Sequence, residues 1–304
     1  EKSGSAARLW CVTRGAVAVG TEPVDHPEQA AVWGLGRVAA LEIPARWGGL
    51  IDLPPALDAR GADRLVAALT RTDGEDQTAL RPSGTYLRRL RRAPAGTRPG
   101  RAWQPRGTVL VTGGTGALGE RVARWLAGQG AEHLVLVSRS GRDAPGLAGL
   151  EAALAGQGTR VTVAACDLTD RGQVRDLLGG LAAAGDPVRT VFHVAGVNTL
   201  VDVADTGPAD LAAVASGKVA GARHLDDLLD PASLDTVVYF SSIAATWGGG
   251  QHGAYAAANA YLDALAQRRR DPGTRVLSIA WGPWRGGGMV HPDAESGMRR
   301  IGLP

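Results

Sequence analysis

The sequence predicts an α/β protein built on a doubly wound parallel sheet. Three observations carry this. Six short apolar runs alternate with helical patterns after residue 107, and the first run flows into the glycine-rich turn TGGTGALG (112–119). The first hundred residues repeat the rhythm more weakly and without such a turn. Near-continuous apolar strands separated by amphipathic helices are covered on both faces, and right-handed crossovers wind such a sheet in two directions.

The elements follow in order. Strands are expected over 108–111, 133–138, 161–165, 188–194, 236–241 and 275–280, each rich in Val, Leu, Ile or Thr. Helices are expected over 118–128, 147–156, 173–184, 210–229 and 255–270, where the apolar positions recur at helical spacing. In the front part, strands are expected over 9–13, 16–19 and 50–53 and a helix over 28–41. The stretch 91–107 (RRAPAGTRPGRAWQPRG) concentrates Pro, Gly and Arg and reads as an inter-domain crossing. The expected organisation is thus Rossmann-like throughout. Residues 101–304 form a nucleotide-binding part, and residues 1–100 a smaller, degenerate structural subdomain without a site of its own.

Composition narrows the function classes. The 304 residues carry 33 Lys and Arg against 30 Asp and Glu, a formal charge of +3. The cluster Arg88, Arg89, Arg91 and Arg92 accounts for much of the excess and reads as a solvated face, so no nucleic-acid partner is expected. Cys11 and Cys166 are far apart without metal-ligand spacing, so no disulfide framework and no metal site is expected, in keeping with a reducing cytosol. No signal-peptide pattern and no apolar run of membrane-spanning length appears, and the expectation is a soluble cytoplasmic protein without a membrane partner.

Within 112–119, Gly114, Gly116 and Gly119 have G-x-G-x-x-G spacing between a strand and a helix. The first glycine is expected to permit the tight turn and the second to admit a pyrophosphate close to the backbone. The third lets helix and strand pack closely. At the end of the second strand stands Arg139 (VSRSG), where an acidic residue would favour NAD. A guanidinium there suits a ribose 2′-phosphate, so NADPH is the expected cofactor. Asp167, ending the third strand, is placed to accept from an adenine amino group, or else to cap the next helix.

Four residues suggest chemistry. Ser242 ends the fifth strand, Tyr255 opens the next helix, Asn259 lies one turn further on the same face, and Lys218 sits on the preceding long helix. Each alone has a structural reading: a loop hydroxyl, a half-buried aromatic, a cap, a solvated charge. Together they suit reduction of a ketone, which needs a proton donor at the oxygen. A phenol with an ordinary pKa of about 10 becomes competent beside an ammonium. A serine hydroxyl stabilises the developing negative charge, and an asparagine can hold a water linking lysine to solvent.

The stretches TGGTGALG, HVAGV (193–197), KVAGARHLDDL (218–228), YFSSIAATWGGGQHGAYAAANAYLDALA (239–266) and WGPW (281–284) resemble ketoreductase domains of modular type I polyketide synthases, within the short-chain dehydrogenase/reductase superfamily. WGLGRVAALEIP (33–44) and RWGGLIDLP (46–54) resemble that family's non-catalytic subdomain. The resemblance implies that Tyr255 is the proton donor, with Ser242, Lys218 and Asn259 in the supporting roles. It implies cofactor contacts at Gly113, Gly114, Thr115, Gly116, Leu118, Gly119, Ser138, Arg139, Asp167, Leu168, Ala195, Gly196, Lys218, Tyr255 and Pro283. The substrate it implies is a β-ketoacyl thioester on the phosphopantetheine arm of an acyl carrier protein, with other synthase domains as partners.

The family's Leu-Asp-Asp marker is missing from 198–205 (NTLVDVAD), whereas Trp247 and His252 stand eight and three positions before Tyr255. The resemblance then implies an A-type reductase of the second subclass, an L-hydroxyl product and selection of an epimerised α-methyl group, with Met289 also near the substrate. Family members carry a longer stretch before the glycine turn, and their lid helix would begin in 286–304, so an incomplete front and a partial lid are expected. Two alternatives remain open here: a free-standing alcohol dehydrogenase, and a non-reducing domain that binds NADPH as scaffold or epimerase.

Overall fold

The computed structural model describes residues 7–92, 103–268 and 273–284. In chain order the front part gives β1 (Leu9–Arg14), α1 (Ala30–Glu42), β2 (Trp47–Leu53), α2 (Ala59–Leu69), β3 (Gln77–Arg81) and β4 (Gly84–Leu87). There follow β5 (Thr108–Thr112), α3 (Ala117–Gly128), β6 (His133–Ser138), α4 (Leu147–Ala155), β7 (Arg160–Ala165), α5 (Arg171–Ala183) and β8 (Val188–His193). The last part holds α6 (Pro208–Ala215), α7 (Gly221–Leu228), β9 (Thr236–Ser242), α8 (Ile243–Trp247), α9 (Gly253–Arg268) and β10 (Arg275–Trp281). These elements form two compact units. The first comprises Glu1–Ala102, Thr199–Leu211 and Ile243–Arg270; the second comprises Trp103–Asn198, Ala212–Ser242 and Asp271–Pro304. The first unit thus takes two later segments, a grouping that a single cut near residue 100 does not express.

In the second unit six parallel strands lie in the order β10-β9-β8-β5-β6-β7. The winding reverses direction at the β5/β8 boundary, the place where open α/β sheets bind ligands beyond the carboxyl ends of their strands. Val109, Leu110 and Val111 of β5 and Leu134 to Val137 of β6 are fully buried, as strands covered on both faces must be. One face packs on α3 and α4 through Val122, Leu126, Leu150 and Leu154. The α5 helix starts where the Asp170 carboxylate accepts the N–H groups of Gly172 and Gln173.

In the first unit β1, β2 and β3 run parallel, and β4 returns antiparallel on the outer edge of β3. Trp33 and Ala39 of α1 pack on Trp47 and Leu50, while Ala68 of α2 packs with Ile51 and Leu80. The α1 and α9 helices cross closely at Gly34, where a Cβ would lie 2.2 Å from the Ala256 carbonyl oxygen.

The expected strand over 16–19 is absent. Gly15 takes a left-handed φ of +66° and turns the chain out of the sheet. The following loop is held by side chains instead. Asp52, with no exposed surface, accepts the Ala16 N–H at 2.8 Å and the Thr13 hydroxyl at 2.7 Å. Its other oxygen pairs with Arg81 at 2.9 Å, and Arg81 also donates to the Val17 carbonyl at 2.6 Å. The expected helix over 210–229 is interrupted as well: residues Ser216–Ala220 form a π-helical turn between α6 and α7. Among the described residues, no helix is long and apolar enough to cross a membrane.

Candidate active site

The residues expected from the sequence fall in both units. The glycine turn, Arg139, Asp167, Lys218 and Ser242 belong to the second, and Trp247, His252, Tyr255 and Asn259 to the first.

In the second unit, β5 ends at Thr112 and the chain enters the glycine turn. The left-handed residue is Gly113, at φ +65°, and not Gly114 as its place in the motif suggested. Gly114 is required for another reason, since a Cβ there would lie 3.0 Å from the Leu136 Cα. At Gly119 a Cβ would fall 2.0 Å from the Gly113 carbonyl oxygen, so helix and turn can touch only without a side chain. Gly116 is the N-cap of α3, and no side chain caps the first turn. Its leading N–H groups point out of the helix end with the positive pole of the dipole, as a pyrophosphate site requires. Thr115 lies in the same turn, and Leu118 packs inward against the sheet core. These residues fit a dinucleotide.

Ser138 ends β6 and its hydroxyl accepts the Gly141 N–H at 3.0 Å. Arg139 beside it is exposed. The Asp167 carboxylate accepts both the N–H and the hydroxyl of Thr169 at 2.9 Å, which with the nearby Arg139 charge holds it below the usual carboxylate range. It therefore stays an acceptor at neutral pH. The Leu168 carbonyl accepts from His224, and Pro283 is an exposed residue after β10.

Lys218 lies on the π-helical turn, and only 2% of its surface is exposed. Its ammonium donates to the Phe240 carbonyl at 2.8 Å. Gly196 gives it passage, since a Cβ there would lie 2.6 Å from Lys218 Cε. An imidazole that the sequence reading assigned no role holds this turn in place. The fully buried His193 bridges Thr112 Oγ1 (2.9 Å from Nδ1) and the Lys218 carbonyl (2.8 Å from Nε2). A carbonyl only accepts, so Nε2 carries the proton, Nδ1 is the acceptor, and the Thr112 hydroxyl donates to it. Thr112 Oγ1 in turn accepts the Ala195 N–H at 3.2 Å. Burial pushes the His193 pKa down to about 4. Its signal in the sequence is a lone histidine closing an apolar strand. Ser242 is the last residue of β9, paired in register with Trp281.

In the first unit, Tyr255 lies in the first turn of α9 and packs beside Val38, Val203, Ala244 and Ala256. Asn259 is buried one turn on, its amide donating to the Tyr255 carbonyl at 2.8 Å. The His252 ring meets the Tyr255 ring edge-on at 6.1 Å between centroids. Its Nδ1–H donates to the Gly250 carbonyl at 2.7 Å. Trp247, at the end of α8, is 51% exposed. Met289 lies outside the described residues, as do 286–304 and most of 91–107.

Among the described residues no group of three or more His, Cys, Asp or Glu could hold a metal ion. Comparison with known proteins places this geometry. Residues 107–286 match the family described as KR domain, and residues 1–90 match the Rossmann fold domain of the polyketide synthase extender module SpnB. The chain is 62% identical to part of polyketide synthase GfsA of Streptomyces halstedii and 52% identical to part of PikAIII, a pikromycin synthase component of Streptomyces venezuelae. In both cases 99% of this chain is covered, but it spans only 4% and 19% of those proteins. Among solved structures, an A1-type ketoreductase superposes with TM-score 0.92 at 51% identity, over 98% of this chain and 63% of that one. The ketoreductase from the first module of phoslactomycin biosynthesis in Streptomyces sp. HK803 gives TM-score 0.89 at 49% identity, over 96% and 68%.

Proposed function

The chain belongs to the KR domain family of modular polyketide synthases, oxidoreductases that reduce β-keto groups with a nicotinamide cofactor, and on that premise we propose that it reduces a β-ketoacyl thioester on an acyl carrier protein with NADPH. The observation that carries this reading is the occupancy of every reactive position in a chain of this family. Lys218 is buried on its π-helical turn, Ser242 closes β9, and Tyr255 and Asn259 are bonded to each other on α9. Residues 101–304 are proposed as the catalytic part and 1–100 as the structural one. Other domains of a synthase are the proposed neighbours, since the chain spans a small part of each multidomain relative.

A nicotinamide cofactor held by the glycine turn from Gly113 to Gly119 and by Arg139 would supply the hydride for the β-carbonyl carbon. The Tyr255 phenol gives its proton to the carbonyl oxygen, so C=O becomes CH–OH. The Ser242 hydroxyl donates a hydrogen bond to that oxygen as charge develops. The Lys218 ammonium favours the phenolate left behind, and Asn259 orients the turn of α9 that carries the phenol while protons return from solvent. Trp247 and His252 are proposed to select the face of the ketone, giving an L-hydroxyl and, from a 2-methyl-3-ketoacyl substrate, the (2S,3S) product. Solved neighbours bear both A-type and C2-type titles, so this subclass rests on those two side chains and not on the likeness.

The test is turnover of NADPH with a carrier-bound 2-methyl-3-ketoacyl thioester, with both stereocentres of the product assigned. A D-hydroxyl majority overturns the stereochemical assignment, and absence of reduction overturns the reading itself. Arg139→Ala is expected to weaken NADPH about 10- to 100-fold, one or two charge-assisted hydrogen bonds to a phosphate, while leaving NADH almost unaffected. Paired binding titrations decide, and equal losses for the two nucleotides remove Arg139 from the 2′-phosphate site.

A further inference from the structure

The turn before Tyr255 is held in an unfavourable shape by a single carboxylate. Glu42 is the last residue of α1, where the negative end of the helix dipole disfavours an acid. Its two oxygens each accept a backbone N–H from a different segment. Val203 donates to Oε2 at 2.6 Å, and Gln251 donates to Oε1 at 2.6 Å. Gln251 takes φ +64°, the one non-glycine residue with positive φ among the described residues. Such a conformation is strained for a residue with a side chain and persists where its surroundings enforce it.

Further bonds tie the two segments together. Val201 donates to the Gln251 carbonyl at 3.0 Å, and Val201 and His252 form a parallel bridge. The α1 helix also holds the preceding helix: Arg37 donates to the Ala245 carbonyl, two residues before Trp247. Gly248, at φ +85°, lies where a Cβ would come within 2.9 Å of the Arg37 carbonyl oxygen. The held segment contains Trp247 and His252, and the Val203 side chain packs in the cluster that receives Tyr255. The helix that fixes it belongs to the part of the chain without a nucleotide turn.

We infer that Glu42 is a positioning residue for stereocontrol: its carboxylate, by clamping the Val203 and Gln251 amides, sets the 248–252 turn and so the placement of His252 toward the substrate. This rests on the functional reading above. It gives the structural subdomain a part in selecting the product and names a specificity determinant that contacts no reacting atom.

Glu42→Gln replaces one acceptor oxygen by an amide that faces an N–H, so one of the two bonds is lost and the side-chain shape is kept. In reductions of a racemic 2-methyl-3-ketoacyl thioester, the ratio of major to minor diastereomer is expected to fall about tenfold, the worth of one charge-assisted hydrogen bond. NADPH affinity is expected to stay within about twofold, because no bond of the glycine turn is touched. Gln251→Gly keeps the clamped N–H and relieves the left-handed strain, and it should retain the wild-type ratio. A ratio unchanged in Glu42→Gln, or lost in Gln251→Gly alone, overturns the inference. Amide hydrogen exchange on the wild type gives an independent reading. The Val203 and Gln251 amides should exchange far more slowly than that of Gly250 in the same turn, and fast exchange at both overturns the clamp even if a variant does not fold. Absence of wild-type reduction would instead count against the functional reading and leave the exchange result standing.

Discussion

Tyr255→Phe is expected to lower turnover by about 10²- to 10⁴-fold, the share of a positioned general acid, while NADPH affinity is retained. The substitution deletes one oxygen and keeps the ring that packs beside Val38, Val203, Ala244 and Ala256. It also spares the bond from Asn259, which goes to the Tyr255 backbone carbonyl. The packing of the ring and the glycine turn that receives the cofactor are therefore left intact. Hydride addition to a ketone without a proton donor leaves an alkoxide in the site, and the remaining hydroxyl of Ser242 can stabilise that charge without neutralising it. NADPH oxidation with the β-ketothioester, beside a nucleotide titration, separates the two quantities. Turnover near wild type would remove Tyr255 from the chemistry, whereas joint loss of turnover, affinity and stability would show that the phenol oxygen has a structural duty.

Much of the second unit was legible in the sequence because its sheet is doubly covered. The central runs 109–111 of β5 and 134–137 of β6 are apolar at every position, as burial on both faces favours. The expected stretch 16–19 shows the opposite case. Its apolar residues do lie inward, but the Asp52–Arg81 pair takes the backbone groups a sheet would have used. The β3–β4 pair and α2 were not anticipated. The β4 strand lies mostly toward solvent and has no strong apolar pattern, whereas α2 is amphipathic but fully buries only the small residues Gly61 and Ala68.

At the site, residue types were legible while their supports were not. Lys218, Ser242, Tyr255 and Asn259 lie on elements close to those expected. The π-helical turn under Lys218 could not be read from periodicity, because a side chain from β8 bonds a carbonyl within that turn. The spacing G-x-G-x-x-G also assigned the tight turn to Gly114, when the backbone puts the left-handed φ one residue earlier. Glu42 gave no signal, since its partners are backbone amides far along the chain.

That hidden support under Lys218 makes stability depend on pH in a definite direction. Folded His193 has its pKa lowered to about 4 by burial, against an ordinary value near 6.5. Between those two pH values the unfolded chain binds a proton that the folded chain refuses, so unfolding becomes easier as pH falls through this window. The full difference is about 3 kcal/mol, reached near pH 4 and absent above about pH 7. His133, whose pKa is also lowered by burial, adds in the same direction. The carboxylates of Asp167, Asp186 and Asp235, held low by hydrogen bonds from Thr169, Arg160 and Arg189 respectively, lose their contribution only at more acid pH. His193→Gln removes the titration and cannot reproduce both bonds of the imidazole. At neutral pH it should cost about 1–3 kcal/mol, because the buried Thr112 hydroxyl loses its acceptor or the Lys218 carbonyl loses one of its donors. Between pH 6.5 and 4, however, its stability should fall by about 3 kcal/mol less than that of the wild type. Denaturant unfolding across this range, followed by a tryptophan of the second unit, measures both quantities. Parallel pH profiles for the two proteins would mean that the imidazole is not buried neutral, and the chain from Thr112 to the Lys218 turn would then lose its physical basis.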